Sequence, residues 1–191
     1  MTSNCSSYKL FSLLFETTKD HTKNLQTLLD LVAKTPNRSI IVAPEVCLSG
    51  FDYENYESAL NIATIATDEL KKVSKEKIII TTMLERSGEE IFNFAKIFFN
   101  GEVIYQRAKS KLFRFGNEHD YMSQGSDEDL KIVEVDGIKI GILICFELRF
   151  KEFWQKLEGC DVIAVPSWWG VLRSEHFKAL TQSLAIMNQC Y

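Results

Sequence analysis

The apolar positions along this chain follow strand-like and helix-like patterns. Continuous runs rich in β-branched residues at 39–43 and 77–82 predict buried strands, and an apolar run at 8–15 predicts an earlier strand. Leucine and valine recur every three or four residues within 20–35, which predicts a helix that Pro36 ends. The same spacing predicts a second helix over residues 58–75.

Turn signals divide the second half of the chain into hairpins. Asn100-Gly101 and Asp136-Gly137 each separate two apolar runs, and these dipeptides predict tight hairpin turns. The paired runs are residues 91–99 with 102–106, and residues 130–135 with 138–145. A short helix at 150–157, a strand at 161–166 and an amphipathic helix at 174–188, capped by Ser174, are expected to follow. This alternation predicts a single layered α/β domain with mixed sheets, spanning residues 1–191.

The composition excludes several classes of function. The chain has 22 Lys and Arg against 26 Asp and Glu, so its net charge of −4 gives no basic footprint for nucleic acid. No apolar run approaches the length of a membrane-spanning helix, and the N-terminal run lacks the features of a signal peptide. Five cysteines without CxxC spacing and three scattered histidines indicate neither a disulfide framework nor a zinc site. We therefore expect a cytoplasmic protein in a reducing compartment.

Cys145 ends the predicted strand 138–145 and is the first candidate for chemistry. Isoleucines at the even positions of this strand must face one core, so Cys145 lies on the other face. The sequence turns polar directly afterwards, and strand ends that open into turns often carry reactive groups. A cysteine in a strand is nevertheless more often a buried structural residue. The residues alone leave both interpretations open.

Glu45 and Lys109 are candidates of the same kind. Glu45 follows the strand 39–43, where a carboxylate at a sheet end would suit a general base, although an exposed loop glutamate is the simpler interpretation. Lys109 lies in the basic segment 107–114. That segment is compatible with an anion site, a solvated strand face or, more weakly, a nucleic-acid groove.

Three segments, in this order, resemble the glutamate, lysine and cysteine motifs of the nitrilase superfamily of carbon-nitrogen hydrolases. They are Ala43-Pro44-Glu45, residues 105–112 (YQRAKSKL) and residues 143–150 (LICFELRF). The stretch 109–121 (KSKLFRFGNEHDY) is similar to that of bacterial omega-amidase-like members, and residues 185–191 (AIMNQCY) resemble a helix end of the family. The resemblance covers nearly the whole chain.

The resemblance implies a fold and a catalytic triad. The fold is a four-layer α-β-β-α sandwich, and because the sequence stops at Tyr191 we expect the C-terminal strands of the family to be lacking. The triad maps onto Glu45 as base, Lys109 as electrostatic stabiliser and Cys145 as nucleophile. Lys111 is the alternative for the lysine, but the register of the following Leu-Phe-Arg favours Lys109.

Further roles carry over by the same resemblance. Glu118 maps onto a second glutamate that orients the substrate or helps the base. The backbone N–H of Phe146 is a candidate oxyanion donor. Trp168 and Trp169 are expected to border the substrate pocket, with packing at an interface as the alternative. Arg149 is expected to be structural rather than a carboxylate ligand. No metal or organic cofactor is implied.

The implied reaction is hydrolysis of a small amide, with the omega-amide of a short dicarboxylic acid as the expected substrate. It would pass through a cysteine thioester and release ammonia. A nitrilase acting on a nitrile would use the same nucleophile, and a catalytically silent relative would serve as a binding or assembly module. The resemblance also implies a homodimer or a higher homo-oligomer.

Overall fold

A computed structural model describes residues 7–191 of the chain. Its helices are α1 (His21–Ala33), α2 (Tyr56–Val73), α3 (Glu118–Tyr121), α4 (Lys151–Lys156) and α5 (Ser174–Asn188). Its strands are β1 (Lys9–Ser12), β2 (Ser39–Val42), β3 (Lys77–Ser87), β4 (Glu90–Phe99), β5 (Glu102–Ala108), β6 (Val133–Val135), β7 (Ile138–Ile142) and β8 (Val162–Ala164). Short 3₁₀ turns connect several of these elements, including Cys145–Arg149.

The strands form two mixed sheets. In the first, of order β1-β2-β3-β4-β5, the first three strands are parallel and the last two add antiparallel. In the second, β7 pairs antiparallel with β6 and parallel with β8. Both predicted hairpin turns are confirmed: φ is 49° and 88° at Asn100 and Gly101, and 49° and 79° at Asp136 and Gly137. Positive φ at both central residues is the type I′ conformation that these dipeptides favour.

Apolar cores separate the elements into layers. Helices α1 and α2 pack on one face of the first sheet through residues such as Leu28, Leu70 and Ile79. The two sheets face each other across a second core that includes Ile97 and Ile140. On the other face of the second sheet, α4 and one side of α5 cover a third core. The layers therefore follow the predicted order α-β-β-α.

The first helix illustrates how local signals and burial agree. The Asp20 side chain accepts a hydrogen bond from the Lys23 N–H at 3.0 Å and so caps α1. Leu25, Leu28 and Val32 form its buried face. Because burying a leucine or valine side chain contributes roughly 1.5–3 kcal/mol, this face contributes more to holding the helix than the cap does.

Several predicted boundaries differ from the structure. Strand β7 ends at Ile142, before Cys145, because the backbone then turns into a 3₁₀ segment. Strand β6 begins only at Val133, since a 3₁₀ turn occupies the residues shortly before it. Ser174 is the first residue of α5 rather than its cap, and Arg173 in the cap position makes no side-chain capping bond. Strand β1 is shorter than predicted at both ends.

The described residues bear on membrane spanning, metal binding and cysteine pairing. Within residues 7–191, no helix combines the length and apolarity needed to cross a membrane. The same part of the chain contains no group of His, Cys, Asp and Glu side chains that could hold a metal ion. The cysteines it contains, Cys47, Cys145, Cys160 and Cys190, are free, whereas Cys5 lies outside the described residues.

Candidate active site

Glu45, Lys109 and Glu118 meet in one buried ion cluster. Lys109 Nζ lies 2.7 Å from Glu45 Oε1 and 2.8 Å from Glu118 Oε1. The side chains of Glu45 and Lys109 are fully buried, and that of Glu118 is nearly so. An ammonium between two carboxylates offsets part of the large desolvation cost of burying these charges. The cluster therefore keeps charged groups close together in a region largely removed from solvent.

Glu45 is held from several sides. Its Oε1 also accepts a hydrogen bond from Asn93 Nδ2 at 3.0 Å, and its Oε2 accepts one from the Trp168 N–H at 3.3 Å. The next residue, Val46, has a φ of 40°, which is strained for a β-branched side chain. A buried hydrogen bond from the Val46 N–H to Thr82 Oγ1, at 2.6 Å, holds that strained backbone in place. These contacts fix the direction of the carboxylate.

Lys109 and Glu118 are positioned by backbone contacts. Lys109 follows β5, and its N–H donates to the Asn93 carbonyl on β4 at 2.8 Å. Its own carbonyl accepts from the Gly125 N–H at 2.8 Å, and a Cβ at Gly125 would lie 2.6 Å from the Ala108 carbonyl oxygen. This close approach requires glycine. Glu118 begins α3, and its Oε2 accepts a backbone N–H at 2.8 Å.

Cys145 begins the 3₁₀ turn with a positive φ of 47°. Its N–H donates to the Pro166 carbonyl at 2.9 Å, and its Sγ lies 3.8 Å from the Trp168 carbonyl oxygen. The interaction between the thiol and the Glu45 carboxylate raises the pKa of Cys145 and lowers that of Glu45. The residue is 8% exposed and lines a cavity. The thiol is therefore buried yet open to a space that can hold a small molecule.

A second buried ion pair supports the turn that begins at the cysteine. The two oxygens of Glu147 each accept a hydrogen bond from the Arg107 guanidinium at 2.7 Å, and both side chains are fully buried. The same oxygens accept the N–H groups of Ser110 and Ile144, each at 2.7 Å. We refer to Glu147, Arg107 and Ser110 as the Glu147 clamp. Since Ser110 follows Lys109 and Ile144 precedes Cys145, the clamp joins the segments that carry these two residues.

Burial and neighbouring charges set the protonation states of the site. Burial raises the pKa of Glu45 above its ordinary value, and the charge of Lys109 offsets this only in part. Burial alone would lower the pKa of Lys109, but the charges of Glu45 and Glu118 raise it above its usual value. Burial and the charge of Glu45 raise the pKa of the Cys145 thiol, against the effect of Lys109. The resting site thus holds a neutral thiol beside a potential proton acceptor.

Two cavities meet at Cys145. The first, of about 270 Å³, we term the arginine cavity; its walls include Phe113, Phe146, Trp168, Trp169, Arg149 and Arg173. The second, of about 300 Å³, we term the carboxylate cavity because Glu45 and Glu118 line it. Cys145 and Arg173 line both. A molecule bound at the thiol can therefore extend into either space.

The geometry distinguishes the two candidate lysines. Lys111 Nζ pairs with Asp127 Oδ2 at 2.6 Å and lies over the rings of Phe150 and Phe153. Lys109, by contrast, reaches Glu45. The structure also places the other predicted residues, Phe146, Trp168 and Trp169, along the arginine cavity.

Sequence reasoning overlooked several residues that shape the site. Asn93 is a polar residue inside an apolar strand, and Arg107 is a charged residue at the end of another. Both positions break the apolar pattern of their strands and could have been noticed in the sequence. Glu147 lies two residues after the cysteine, which made it a detectable candidate as well. Arg173 carried no signal, because only the fold brings its segment to the cavity.

Known proteins resemble the chain in sequence and in fold. The profile of the carbon-nitrogen hydrolase family matches residues 8–191. A 2-oxoglutaramate amidase from Bacillus subtilis is 29% identical over 188 residues, which are 95% of this chain and 71% of that protein. An omega-amidase from Escherichia coli is 30% identical over 156 residues, which are 81% of this chain and 60% of that protein.

Structural similarity extends over most of the chain. The crystal structure of a CN-hydrolase superfamily protein from Xanthomonas campestris matches with a TM-score of 0.76 at 23% identity. The match covers 96% of this chain and 71% of that one. The predicted α/β fold of the nitrilase type is therefore confirmed.

Proposed function

Because the chain belongs to the carbon-nitrogen hydrolase family, we propose that it hydrolyses small amides with Cys145 as the nucleophile. The observation that carries this proposal is a buried thiol beside the Glu45–Lys109 pair, at the meeting point of two cavities. The similarity to an amidase of 2-oxoglutaramate and to an omega-amidase supports an amide as the substrate.

In the first step the thiol attacks the amide carbonyl. An amide is a poor electrophile, so the sulfur must lose its proton as the new bond forms. Glu45 can accept that proton, because burial raises the pKa of its carboxyl and makes the carboxylate a stronger base than an exposed glutamate. The sulfur–carbon bond forms and the carbonyl electron pair moves to oxygen.

The oxyanion that results needs donors in place. Lys109 Nζ is held as a cation between Glu45 and Glu118, at 2.7 and 2.8 Å, and can donate its remaining proton to the oxyanion. The N–H of Phe146, the residue directly after the nucleophile, is the second donor that we propose. Glu118 acts through Lys109, since it keeps the ammonium fixed and charged.

Collapse of the oxyanion breaks the carbon–nitrogen bond. Glu45 returns the proton to the leaving nitrogen, ammonia departs and the acyl group remains on Cys145 as a thioester. Water then enters, Glu45 removes one of its protons, and the hydroxide attacks the thioester carbon. The carbon–sulfur bond breaks, the acid leaves and the sulfur regains a proton, so the enzyme returns to its starting state.

Ammonia release from short amides tests this proposal. We expect hydrolysis by the wild type, loss to background in Cys145→Ala, and an unchanged rate in Cys190→Ala, a cysteine outside both cavities. Equal rates in the wild type and Cys145→Ala would overturn the proposal. Acid formation from nitriles that exceeds the amide rate would identify a nitrilase. A folded protein inactive on both substrate classes would fit the silent binding module.

We also propose that the protein forms a homodimer in the cytoplasm. Helix α5 packs on the third core only through partly buried side chains, and Ile186, Met187 and Tyr191 expose large apolar side chains near its end. Such exposed apolar side chains are typical of association surfaces. Sedimentation at micromolar concentration should give twice the mass of the chain, and a purely monomeric species would contradict this.

A further inference from the structure

We propose that Cys160 and Cys190 form a redox-sensitive pair, in which a disulfide ties the end of α5 to the start of β8 when the surrounding thiol pool becomes oxidised. We term these two residues the thiol pair. They lie outside both cavities and take no part in the proposed amide hydrolysis. The pairing goes beyond the proposed function and does not depend on it.

Backbone pairing brings the two segments side by side. The Tyr191 N–H donates to the Asp161 carbonyl at 3.0 Å, and the Tyr191 carbonyl accepts from the Ile163 N–H at 2.8 Å. This is the hydrogen-bond pattern of parallel strands. Neighbouring strands lie about 4.8 Å apart, and disulfides join Cα atoms about 4.4–6.8 Å apart. The residues directly before this contact, Cys160 and Cys190, therefore lie on segments at a spacing that suits a disulfide.

The two thiols also lie on the same face of the second sheet. Gly141 in β7 faces away from the core between the sheets, since its neighbours Ile140 and Ile142 belong to that core. A Cβ at Gly141 would lie 3.1 Å from Cys160 Sγ, so this sulfur lies on the face that α4 and α5 cover. Cys190 packs against the same third core. Both side chains therefore belong to one apolar layer.

The end of α5 holds Cys190 in position. Gln189 adopts a φ of 53° and ends the helix, and the Cys190 N–H donates back to the Ala185 carbonyl at 3.1 Å. This is a common left-handed helix end. Asn188 Nδ2 donates to the Trp154 carbonyl at 3.2 Å and so anchors the same turn on α4. These contacts fix the backbone that carries Cys190 beside β8.

Exposure gives the two thiols different roles. Cys160 is 5% exposed, whereas Cys190 is partly exposed, so an oxidant reaches Cys190 first. Burial, and to a smaller extent the neighbouring Cys190, raise the pKa of Cys160 to about 12. Burial also raises the pKa of Cys190 above its ordinary value. Because few thiolates are present at neutral pH, the pair should respond slowly.

A small-molecule disulfide, oxidised glutathione, supplies the oxidant. The Cys190 thiolate attacks one glutathione sulfur, the glutathione disulfide bond breaks, and one glutathione leaves as a thiolate. The Cys160 thiolate then attacks the Cys190 sulfur of the mixed disulfide and expels the second glutathione. Two protein thiols are oxidised and one glutathione disulfide is reduced, and the two protons of the protein thiols pass to the two glutathione thiolates.

The disulfide closes a loop that carries part of the candidate site. Between the two cysteines lie Trp168, whose N–H reaches Glu45 Oε2 at 3.3 Å, and Pro166, whose carbonyl accepts the Cys145 N–H at 2.9 Å. A cross-link over about 30 residues removes conformational freedom from the unfolded chain. The contacts of the loop are already formed while the thiols are reduced, so the cross-link should stabilise this segment without rearranging it.

Oxidation followed by peptide mapping tests the pairing. The full chain is incubated with oxidised glutathione at about pH 8, where thiol exchange is faster than at neutral pH, and digested without reductant. We expect one pair of peptides joined through Cys160 and Cys190. In Cys160→Ala a glutathione adduct should accumulate on Cys190, because no second thiol displaces it, and in Cys190→Ala no link should form. Cys145→Ala is the matched control and should form the link at the wild-type rate.

Thermal unfolding measures the consequence of the link. The oxidised wild type should unfold about 5–15 °C above the reduced wild type. Dithiothreitol should reverse this shift. Cys190→Ala should unfold at the same temperature with and without the oxidant.

Three results would overturn the thiol pair. One is the absence of the link between Cys160 and Cys190 in the oxidised wild type. Another is a link between the Cys190 residues of two chains, seen as twice the mass without reductant. The third is a linked protein whose Tm equals or falls below that of the reduced protein. Equal amide hydrolysis by the wild type and Cys145→Ala would overturn the proposed function alone.

Discussion

The Glu147 clamp leads to a prediction about stability. Replacing Arg107 with Met removes the guanidinium that donates two hydrogen bonds of 2.7 Å to Glu147. Methionine is a long, flexible side chain that can fill much of the same space. The substitution therefore leaves a fully buried carboxylate without a cation, and the loss of charge compensation should outweigh the loss of packing.

The magnitude follows from the contacts that remain. Removing one partner of a buried ion pair costs about 3–5 kcal/mol of unfolding free energy. Glu147 keeps the N–H donors of Ser110 and Ile144 at 2.7 Å, so we expect the lower part of that range, about 3–4 kcal/mol. In a chain of this size 1 kcal/mol shifts Tm by about 2–4 °C, which predicts a fall of about 6–16 °C.

Urea unfolding followed by circular dichroism, with a thermal scan, measures the effect. The double variant Arg107→Met with Glu147→Gln should be more stable than Arg107→Met alone, because no charge is left buried. Arg86→Met is the matched control. Its partner Glu57 lies at 2.9 Å, but the two side chains are 45% and 81% exposed, so the loss should stay below about 1 kcal/mol.

Two results would refute this reasoning. One is an equal loss of unfolding free energy in Arg107→Met and Arg86→Met. The other is a double variant no more stable than the single one, which would mean that the uncompensated charge of Glu147 is not the source of the loss.

Two further predictions follow from the charges of the site, and a third from a cysteine buried in the first core. Glu45→Gln should lower the pKa of Cys145, because the negative charge of Glu45 is removed, and so raise the rate at which Cys145 is alkylated near neutral pH. The rate of amide hydrolysis should fall by about 10²–10⁴-fold. Slower alkylation of Cys145 would contradict this. Lys109→Met should reduce kcat by about 10²–10³-fold, and an unchanged kcat would exclude it as the oxyanion donor. Burial raises the pKa of Cys47 from 9.0 to about 12. The stabilisation of the folded state by the neutral Cys47 thiol is therefore complete below pH 9 and is lost as the pH rises towards 12. Cys47→Ala should therefore lose less unfolding free energy than the wild type between about pH 8 and about pH 11.

The sequence predicted most of the fold because the local signals were strong. The Asn100-Gly101 and Asp136-Gly137 turns fix both hairpins, since each residue adopts the positive φ that its type favours. The alternating isoleucines before Cys145 faced the core between the sheets, as expected. The prediction that Cys145 lies on the opposite face was wrong, because the backbone leaves the strand before Cys145 and the residue packs in that same core. The ends of strands were predicted less accurately where the backbone turns before the apolar pattern ends. The backbone leaves β7 before Cys145, and no local pattern marks that point.

The site was predicted only in part, for a similar reason. Ordered motifs named Glu45, Lys109 and Cys145, and the fold brings them together. The Glu147 clamp depends on contacts between segments about forty residues apart in the chain, which a one-dimensional pattern does not reveal. Arg173 is a further case, since its importance comes from the cavity it lines and not from the residues beside it in sequence.

The positive φ of Cys145 also restricts which side chains this position of the backbone could carry in place of the proposed nucleophile. A β-branched side chain is strongly disfavoured in the left-handed region, so threonine would strain a turn that cysteine already occupies at 47°. Serine has the same unbranched Cβ and would fit. If evolution or design exchanged the thiol for a hydroxyl at this position, the backbone would therefore accept serine but not threonine. This restriction holds whatever chemistry the neighbouring residues could support.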